Sequence, residues 1–179
     1  RALQLDAWKS PSVGGRTPCI APGSLSEALE CNSITTPIQP MSLHTLPLPP
    51  CELGESPFWH PTEKSLYWCD IQGQAVHAWH PESGRHRQWR MPSEPGCCAP
   101  AAGGRLVIGL RNGFYLLDTA KDSADTTALT CLALLPPDQH DTAVLRLNDG
   151  RCDTAGRFWA GSMITPRTAP HAALWCLAA

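Results

Sequence analysis

Short apolar runs separated by turn residues constrain the fold of this chain more than any other feature. From Cys51 onward, such runs at 65–69, 75–79 and 105–110 alternate with clusters of Gly, Pro, Asp and Asn. Strands of about four to six residues, with a turn about every eight to twelve, indicate a sandwich, a barrel or a propeller. No segment after Cys51 keeps the apolar period of a helix. The sequence therefore predicts an all-β fold.

A weak internal repeat favours the propeller. Residues 104–109 (GRLVIG) match residues 156–161 (GRFWAG), and a looser copy surrounds residues 66–68. Repeats of about 40 to 50 residues have the size of one propeller blade, which is a small four-stranded sheet. Asn112-Gly113 lies between two of the apolar runs and predicts a two-residue hairpin.

Residues 1–50 differ from the rest in composition. This stretch holds eight of the 18 prolines and no Tyr or Phe. Residues 24–30 (SLSEALE) suffice for a short helix only, and such helices are marginal in isolation. Residues 45–50 (TLPLPP) are typical of polyproline II, either as a plain linker or as an SH3-type ligand. We therefore expect a disordered extension at 1–50 and a folded domain at 51–179.

Charge and cysteine content narrow the class of function. The formal net charge of −2 argues against a nucleic-acid partner, and no apolar run approaches the roughly 20 residues that cross a membrane. The nine cysteines form no C-x-x-C pair, so a zinc ribbon has no support. Adjacent Cys97 and Cys98 are either small core residues, a redox pair or a soft-metal site. We expect a reducing, cytoplasmic location.

Glu55 is the first candidate for a chemical role. It lies in LGESPFW (53–59), immediately before the first predicted strand, among small and apolar residues that solvate a carboxylate poorly. A buried carboxylate needs a partner. A hard cation such as calcium or magnesium is one such partner. An Arg side chain, or a turn that Glu55 caps, is the alternative.

Arg146 and Asn148 are the second candidates. They follow the apolar residues 143–145, and the alternation of a strand places both side chains on one face. Together they could hydrogen-bond the hydroxyl and carbonyl oxygens of a polar ligand. Asn148-Asp149-Gly150 is also ordinary turn chemistry, so a solvated turn is the alternative.

In this order, the two stretches resemble the senescence marker protein/gluconolactonase family, which includes regucalcin-like proteins. GESPFW resembles the family's G-E-[SG]-P-x-W, and YWCDI (67–71) resembles an intervening strand end. RLNDGRCDTAGRFWAGSM (146–163) resembles R-x-N-D-G-x-x-D-x-x-G-R-x-[WF]-x-G-[ST]-M. The resemblance covers about residues 51–179. It implies a six-bladed β-propeller that binds one divalent cation and hydrolyses sugar lactones.

Roles for the three candidates follow from the resemblance. Glu55 would be a ligand of the cation, which could be calcium, zinc, magnesium or manganese, and Arg146 and Asn148 would contact the sugar lactone. A bound cation polarises a carbonyl and activates water, while a carboxylate manages the proton. The family's other ligands are an Asn and an Asp, and the Asp is also the general base. Both are expected beyond Ala179, so no catalytic residue is assigned within the chain.

The length of the matching region leads to a further expectation. Residues 51–179 suffice for about two to three blades, whereas propellers close with about four to eight. We therefore expect the N-terminal part of a longer protein that hydrolyses a sugar lactone with a divalent cation, this part alone being inactive. One alternative is a catalytically inactive propeller fragment that binds calcium or another ligand. Another is a complete small β-domain with an unrelated binding role.

Overall fold

A computed structural model describes residues 42–122, 125–166 and 170–178. The stretch 24–30, considered above as a marginal helix, and most of the expected extension lie outside these residues. Residues 42–50 are largely exposed and contain no helix or strand. Residues 42–48 belong to a different compact unit from the described residues that begin at Pro49.

Antiparallel strands, arranged in three sheets, form the part from Pro49 onward. Each sheet is a meander in which neighbouring strands follow one another in the chain. Only a single short 3-10 turn, Thr126–Ala128, interrupts the strands in the described residues, and no helix there is long and apolar enough to cross a membrane. The first sheet contains β1 (Gly54–His60), β2 (Ser65–Asp70), β3 (Ala75–His80) and β4 (Arg85–Arg90); the second contains β5 (Cys97–Ala101), β6 (Arg105–Leu110), β7 (Gly113–Asp118) and β8 (Leu129–Leu134); the third contains β9 (Leu145–Cys152), β10 (Phe158–Ile164) and β11 (Leu174–Leu177).

This architecture confirms the all-β prediction and the interpretation of the repeat. The three copies of the repeat lie on β2, β6 and β10, which are the second strands of successive sheets. Two four-stranded meanders and a three-stranded one correspond to the expected two to three blades of an incomplete propeller.

The predicted hairpin between β6 and β7 forms, but one residue earlier than expected. Leu110 pairs with Gly113, so the two loop residues are Arg111 and Asn112. Neither has a positive φ, so the loop is not the type that the Asn-Gly pair favours. Gly113 is instead required by a close approach, because a Cβ there would lie 2.3 Å from the carbonyl oxygen of Ala133 on β8.

The second sheet is buried on both of its faces. Leu106 and Ile108 of β6 pack against the first sheet, in a cluster that includes Trp89. Val107, which lies between them, packs against the third sheet together with Phe158. Burial on both faces explains why residues 105–110 are almost continuously apolar rather than alternating.

The adjacent cysteines of β5 follow the same alternation. Cys97 belongs to the cluster between the second and third sheets, and Cys98 to the cluster between the first and second. Both are buried free thiols, so they pack as small apolar residues and do not face each other. The sulfur atom of Cys98 lies 3.6 Å from that of Cys69 on β2. Their hydrogen bond, together with burial, raises the pKa of the Cys69 thiol.

Gly96, just before β5, joins the first strands of all three sheets. Strands β1 and β9 both contact β5. The hydroxyl of Ser56 on β1 donates a hydrogen bond to the carbonyl oxygen of Gly96 at 3.1 Å. On the other side, a Cβ at Gly96 would lie 2.2 Å from the carbonyl oxygen of Leu147 and 2.7 Å from that of Asn148. Only glycine allows the backbones to approach this closely.

Arg111, in the loop between β6 and β7, links the second sheet to the segment before β5 and to the start of the third sheet. The guanidinium of Arg111 donates from Nε and Nη2 to both carboxylate oxygens of Glu94, at 2.8 and 2.5 Å. Its Nη1 donates to the carbonyl oxygens of Thr142 and Leu145. Both charged side chains are largely buried. The hydrogen bonds from Arg111 lower the pKa of Glu94 to about 2, although burial opposes the shift.

We expect Gly96→Ala to destabilise the protein, because the added Cβ would overlap the backbone of β9. Overpacking of this kind costs about 1 to 3 kcal/mol. The matched control is Gly161→Ala on β10. Apart from the two neighbouring residues in the chain, no heavy atom of the described residues lies within 4 Å of the added Cβ there. Urea unfolding followed by circular dichroism should show a lower midpoint for the Gly96 variant alone. Equal midpoints for the two variants would contradict the close approach.

We expect Glu94→Gln to lower the free energy of unfolding by about 2 kcal/mol at neutral pH, since it removes charge from a hydrogen-bonded pair. The folded-state pKa of Glu94, about 2, lies below its ordinary value of 4.5. Its contribution is therefore complete above pH 4.5 and is lost as the pH falls toward 2. Urea midpoints should show the full deficit of the variant at pH 7 and pH 5 and a smaller one at pH 3.

The control for this pH series is Glu82→Gln. Glu82 pairs with Lys64 at 3.7 Å, but both side chains are more than half exposed, and such pairs contribute little. That substitution should leave the midpoint unchanged at every pH. A Glu94→Gln deficit that stayed constant from pH 7 to pH 3 would show that the ion pair is not its source.

Candidate functional site

Glu55 lies inside a strand, not before the first one as the sequence suggested. It is the second residue of β1 and pairs with Cys69 on β2. Its side chain is half-buried, and no residue of the described ranges gives its carboxylate a hydrogen bond or an ion pair. Within the described residues, Glu55 therefore has neither the Arg partner nor the turn-capping role considered as alternatives. A half-buried carboxylate without a protein partner can accept a cation.

A β-bulge follows Glu55 and explains the spacing of its motif. Ser56 and Pro57 together oppose a single residue of β2, because Glu55 pairs with Cys69 and Phe58 pairs with Tyr67. Ser56 has a φ of 54°, and a proline is tolerated at a bulge because no ladder hydrogen bond is needed there. The extra residue brings Glu55 and Phe58 to the same face of the sheet, where Phe58 stacks on Tyr67 at 5.3 Å.

Arg146 and Asn148 lie side by side on β9, in the arrangement that strand alternation predicts. Nη1 of Arg146, a buried residue, donates to Oδ1 of Asn148 and to the carbonyl oxygen of Leu147, both at 3.0 Å. Because Oδ1 accepts from Arg146, the amide nitrogen of Asn148 is the atom that can donate to a ligand. The pair therefore offers a buried positive charge and a fixed amide donor.

A second bulge begins at Asn148. Leu147 pairs with Ser162 and Gly150 pairs with Ala160, so Asn148 and Asp149 together oppose Gly161 on β10. Bulges bend a strand and redirect side chains, and they are frequent beside active sites. Both sequence motifs thus coincide with a bulge in the first strand of a sheet.

Gly96 brings the two motifs together, although no pattern in the sequence marks it as part of a site. It accepts the hydrogen bond from Ser56, next to Glu55, and it packs against the backbone of Leu147 and Asn148. The Pro95-Gly96 pair signals only a turn in sequence. Nothing local reveals that a strand from another sheet passes beside it.

The remainder of the second motif is structural. The carboxylate of Asp153 accepts hydrogen bonds from the Nε atoms of Arg157, at 2.6 Å, and Trp159, at 2.9 Å, as well as from two backbone N–H groups. These bonds hold the pKa of Asp153 well below its usual range, and the bond from Trp159 has the largest effect. Asp153 therefore closes the loop between β9 and β10, where Gly156 has a positive φ of 79°.

Two further features lie away from these motifs. A cavity of about 240 Å³ beside Glu63, Tyr67 and Arg87 contains none of the predicted site residues. In the described residues, one group of side chains has the composition of a metal site: Cys51, Asp70 and His77 place a donor atom each within 4.8 Å of one another. Their separation in sequence matches no metal-binding spacing, so no local signal could have found them.

The comparisons with known proteins agree on one family. The sequence model of the SMP-30/Gluconolactonase/LRE-like region matches residues 53–179. The chain is 37% identical over 118 residues to the 6-deoxy-6-sulfogluconolactonase of Pseudomonas putida, covering 66% of this chain and 38% of that protein. It is 33% identical over 112 residues to the regucalcin of Danio rerio, covering 63% of this chain and 35% of that protein.

The fold agrees with these relatives. The structure superimposes on the crystal structure of a calcium-binding protein, regucalcin, from Agrobacterium tumefaciens strain C58, with a TM-score of 0.63 and 28% identity. The match covers 72% of this chain and 41% of that one, so the chain spans about two fifths of the length of the relatives it matches. Its three sheets form an incomplete propeller of the regucalcin type, and the chain belongs to the SMP-30/gluconolactonase/LRE-like family.

Proposed function

We propose that the protein hydrolyses the ester bond of a sugar lactone, with a divalent cation held in part by Glu55. The observation that carries this proposal is the placement of three side chains on two first strands, β1 and β9, which both contact β5. A carboxylate on β1 with no partner among the described residues and the Arg146–Asn148 pair on β9 are linked through Gly96. The Pseudomonas putida relative is named as a lactonase, which supports this chemistry over binding alone.

Glu55 fits the role of a cation ligand. Its carboxylate is half-buried and has no hydrogen-bond or ion-pair partner among the residues described, so a cation would compensate its desolvation. Oxygen donors of this kind accept calcium, magnesium, manganese or zinc. When bound, such a cation polarises the lactone carbonyl and lowers the pKa of a water molecule.

Arg146 and Asn148 would bind and orient the lactone. The amide nitrogen of Asn148, fixed by the bond from Arg146 to Oδ1, would donate to a hydroxyl or carbonyl oxygen of the sugar. The buried guanidinium adds a positive charge beside it, which favours an oxygen that gains negative charge as water attacks. We assign no general base among the described residues.

Glu55→Gln should abolish most of the cation dependence of lactone hydrolysis in the full-length protein. Loss of residues that merely support ligands weakens metal binding by about 10- to 100-fold, so loss of a ligand should cost at least about 100-fold in kcat/KM. The measurement is hydrolysis of gluconolactone, above the spontaneous rate, with added calcium, magnesium, manganese or zinc and with EDTA.

The matched control for Glu55 is Glu52→Gln, which removes an exposed carboxylate three positions earlier. It should leave both the rate and the cation dependence unchanged. Equal cation affinity in the Glu55 variant and the parent protein would exclude Glu55 as a ligand. Cation binding without hydrolysis of any lactone would instead favour the alternative, a catalytically inactive module that binds calcium or another ligand.

Asn148→Ala should act mainly on substrate binding. Removal of one hydrogen bond to a neutral group costs about 1 kcal/mol, so we expect KM to rise about five- to tenfold with a smaller change in kcat. Initial rates over a range of lactone concentrations separate the two parameters. An unchanged KM would remove Asn148 from the substrate site while leaving the role of Glu55 open to its own test.

A further inference from the structure

We propose that Cys51, Asp70 and His77 form a separate metal site for zinc or a similar thiolate-binding divalent ion. Cys51 precedes β1, Asp70 ends β2, and His77 lies in β3. One donor atom from each lies within 4.8 Å of the other two. In a tetrahedral zinc site, bond lengths of about 2.0 to 2.3 Å place the ligand atoms about 3.5 Å apart. A small movement of the half-buried Cys51 side chain would therefore complete the geometry.

An unpartnered nitrogen of His77 points to a ligand. His77 is only 7% exposed, and its Nε2 atom is buried with no hydrogen-bond partner among the described residues. Leaving a buried polar atom unsatisfied costs about 1 to 3 kcal/mol, whereas coordination to a metal ion satisfies it. The Cys51 sulfur and an Asp70 carboxylate oxygen each lie within 4.8 Å of a ring nitrogen of His77, and we assign Nε2 as the metal-binding nitrogen because Nδ1 is hydrogen-bonded to His86.

The other nitrogen of His77 has the partner that a metal ligand requires. Nδ1 lies 2.9 Å from Nε2 of His86 on β4. When Nδ1 carries the proton and donates it to His86, Nε2 keeps the lone pair that binds a metal. Burial, and then the neighbouring His86, lower the pKa of His77. The His77 ring is stacked on Trp68, with ring centroids 5.0 Å apart, and it lies nearly coplanar with the ring of His86, so its orientation is fixed.

Asp70 is held in its ionised form and retains room for an ion. Its carboxylate accepts backbone N–H groups of Leu53, Gly73 and Glu52 at 2.9 to 3.1 Å. Burial opposes ionisation, but these bonds outweigh it and lower the pKa of Asp70. A carboxylate offers about four acceptor positions, so one remains for a metal ion after the three backbone bonds.

Cys51 is supported in the same manner. The indole Nε1 of Trp68 donates to the sulfur of Cys51 at 3.1 Å, which holds the sulfur in place. Each of the three ligands thus has its own supporting partner, as in established metal sites. A thiolate and a carboxylate carry two negative charges, which balance one divalent cation.

The donor set selects the class of ion. One sulfur, one nitrogen and one oxygen suit zinc, and also cobalt or nickel, whereas calcium and magnesium require six or more oxygens. The site is distinct from that of Glu55, because Asp70 lies next to Cys69 on β2 and adjacent residues of a strand face opposite sides of the sheet. Binding would attach the segment before β1 to β2 and β3.

The test uses the 179-residue chain, stripped of metal with EDTA and titrated with Co²⁺ and then with Zn²⁺. We expect one Co²⁺ per chain to give a near-ultraviolet thiolate charge-transfer band, and one Zn²⁺ to displace it and raise the thermal midpoint. Cys51→Ser should lose the band, and His77→Gln should weaken Zn²⁺ binding at least about 100-fold. The matched control is Cys131→Ser, which removes an exposed thiol and should bind both ions as the parent chain does.

Two outcomes would overturn the site. One is the absence of a thiolate band in the parent chain when Co²⁺ is in excess. The other is a band that persists at full strength in Cys51→Ser, which would assign it to another cysteine. Cys51→Ser replaces one half-buried atom, and the far-ultraviolet circular dichroism spectrum checks that this variant folds.

Discussion

Leu106 and Ile108 of β6 pack against the first sheet, while Val107 packs against the third. This burial of the second sheet on both faces is the constraint on which the rest of the structure depends. It sets the spacing of the sheets, and it leaves so little room beside β5 that only glycine fits at position 96. The hydrophobic effect that drives the packing has no direction of its own. Gly96 and the alternation of side chains along each strand determine where the first strands of the three sheets contact one another.

The candidate site lies at two β-bulges, where β1 and β9 depart from regular strand geometry. A strand without a bulge would place Glu55 and Phe58 on opposite faces, since residues three apart in a strand alternate. The bulge at Ser56 and Pro57 restores both to the face that meets the second sheet. A corresponding bulge on β9 begins at Asn148. In both motifs the small or turn-forming residues shape the backbone, and the polar residue beside them supplies the chemistry.

The two faces of the first sheet carry different metal chemistry in our proposals. The face of Glu55 offers an oxygen donor, which suits a hard cation. The opposite face offers sulfur, nitrogen and oxygen from Cys51, His77 and Asp70, held by ring contacts and backbone N–H groups. Three protein ligands leave the fourth position of a tetrahedral ion to water. The alternation of side chains across one sheet therefore separates two sites that suit different ions.

The sequence by itself determined the all-β class, the repeat that became β2, β6 and β10, and the adjacency of Arg146 and Asn148. These follow from local periodicity and motif order. Only the tertiary structure decided that Glu55 lies within a strand, that Gly96 joins the two motifs, and that Cys51 meets Asp70 and His77. The physical reason is that bulges, close backbone approaches and ligand clusters depend on atoms distant in sequence, whose separations no local pattern encodes.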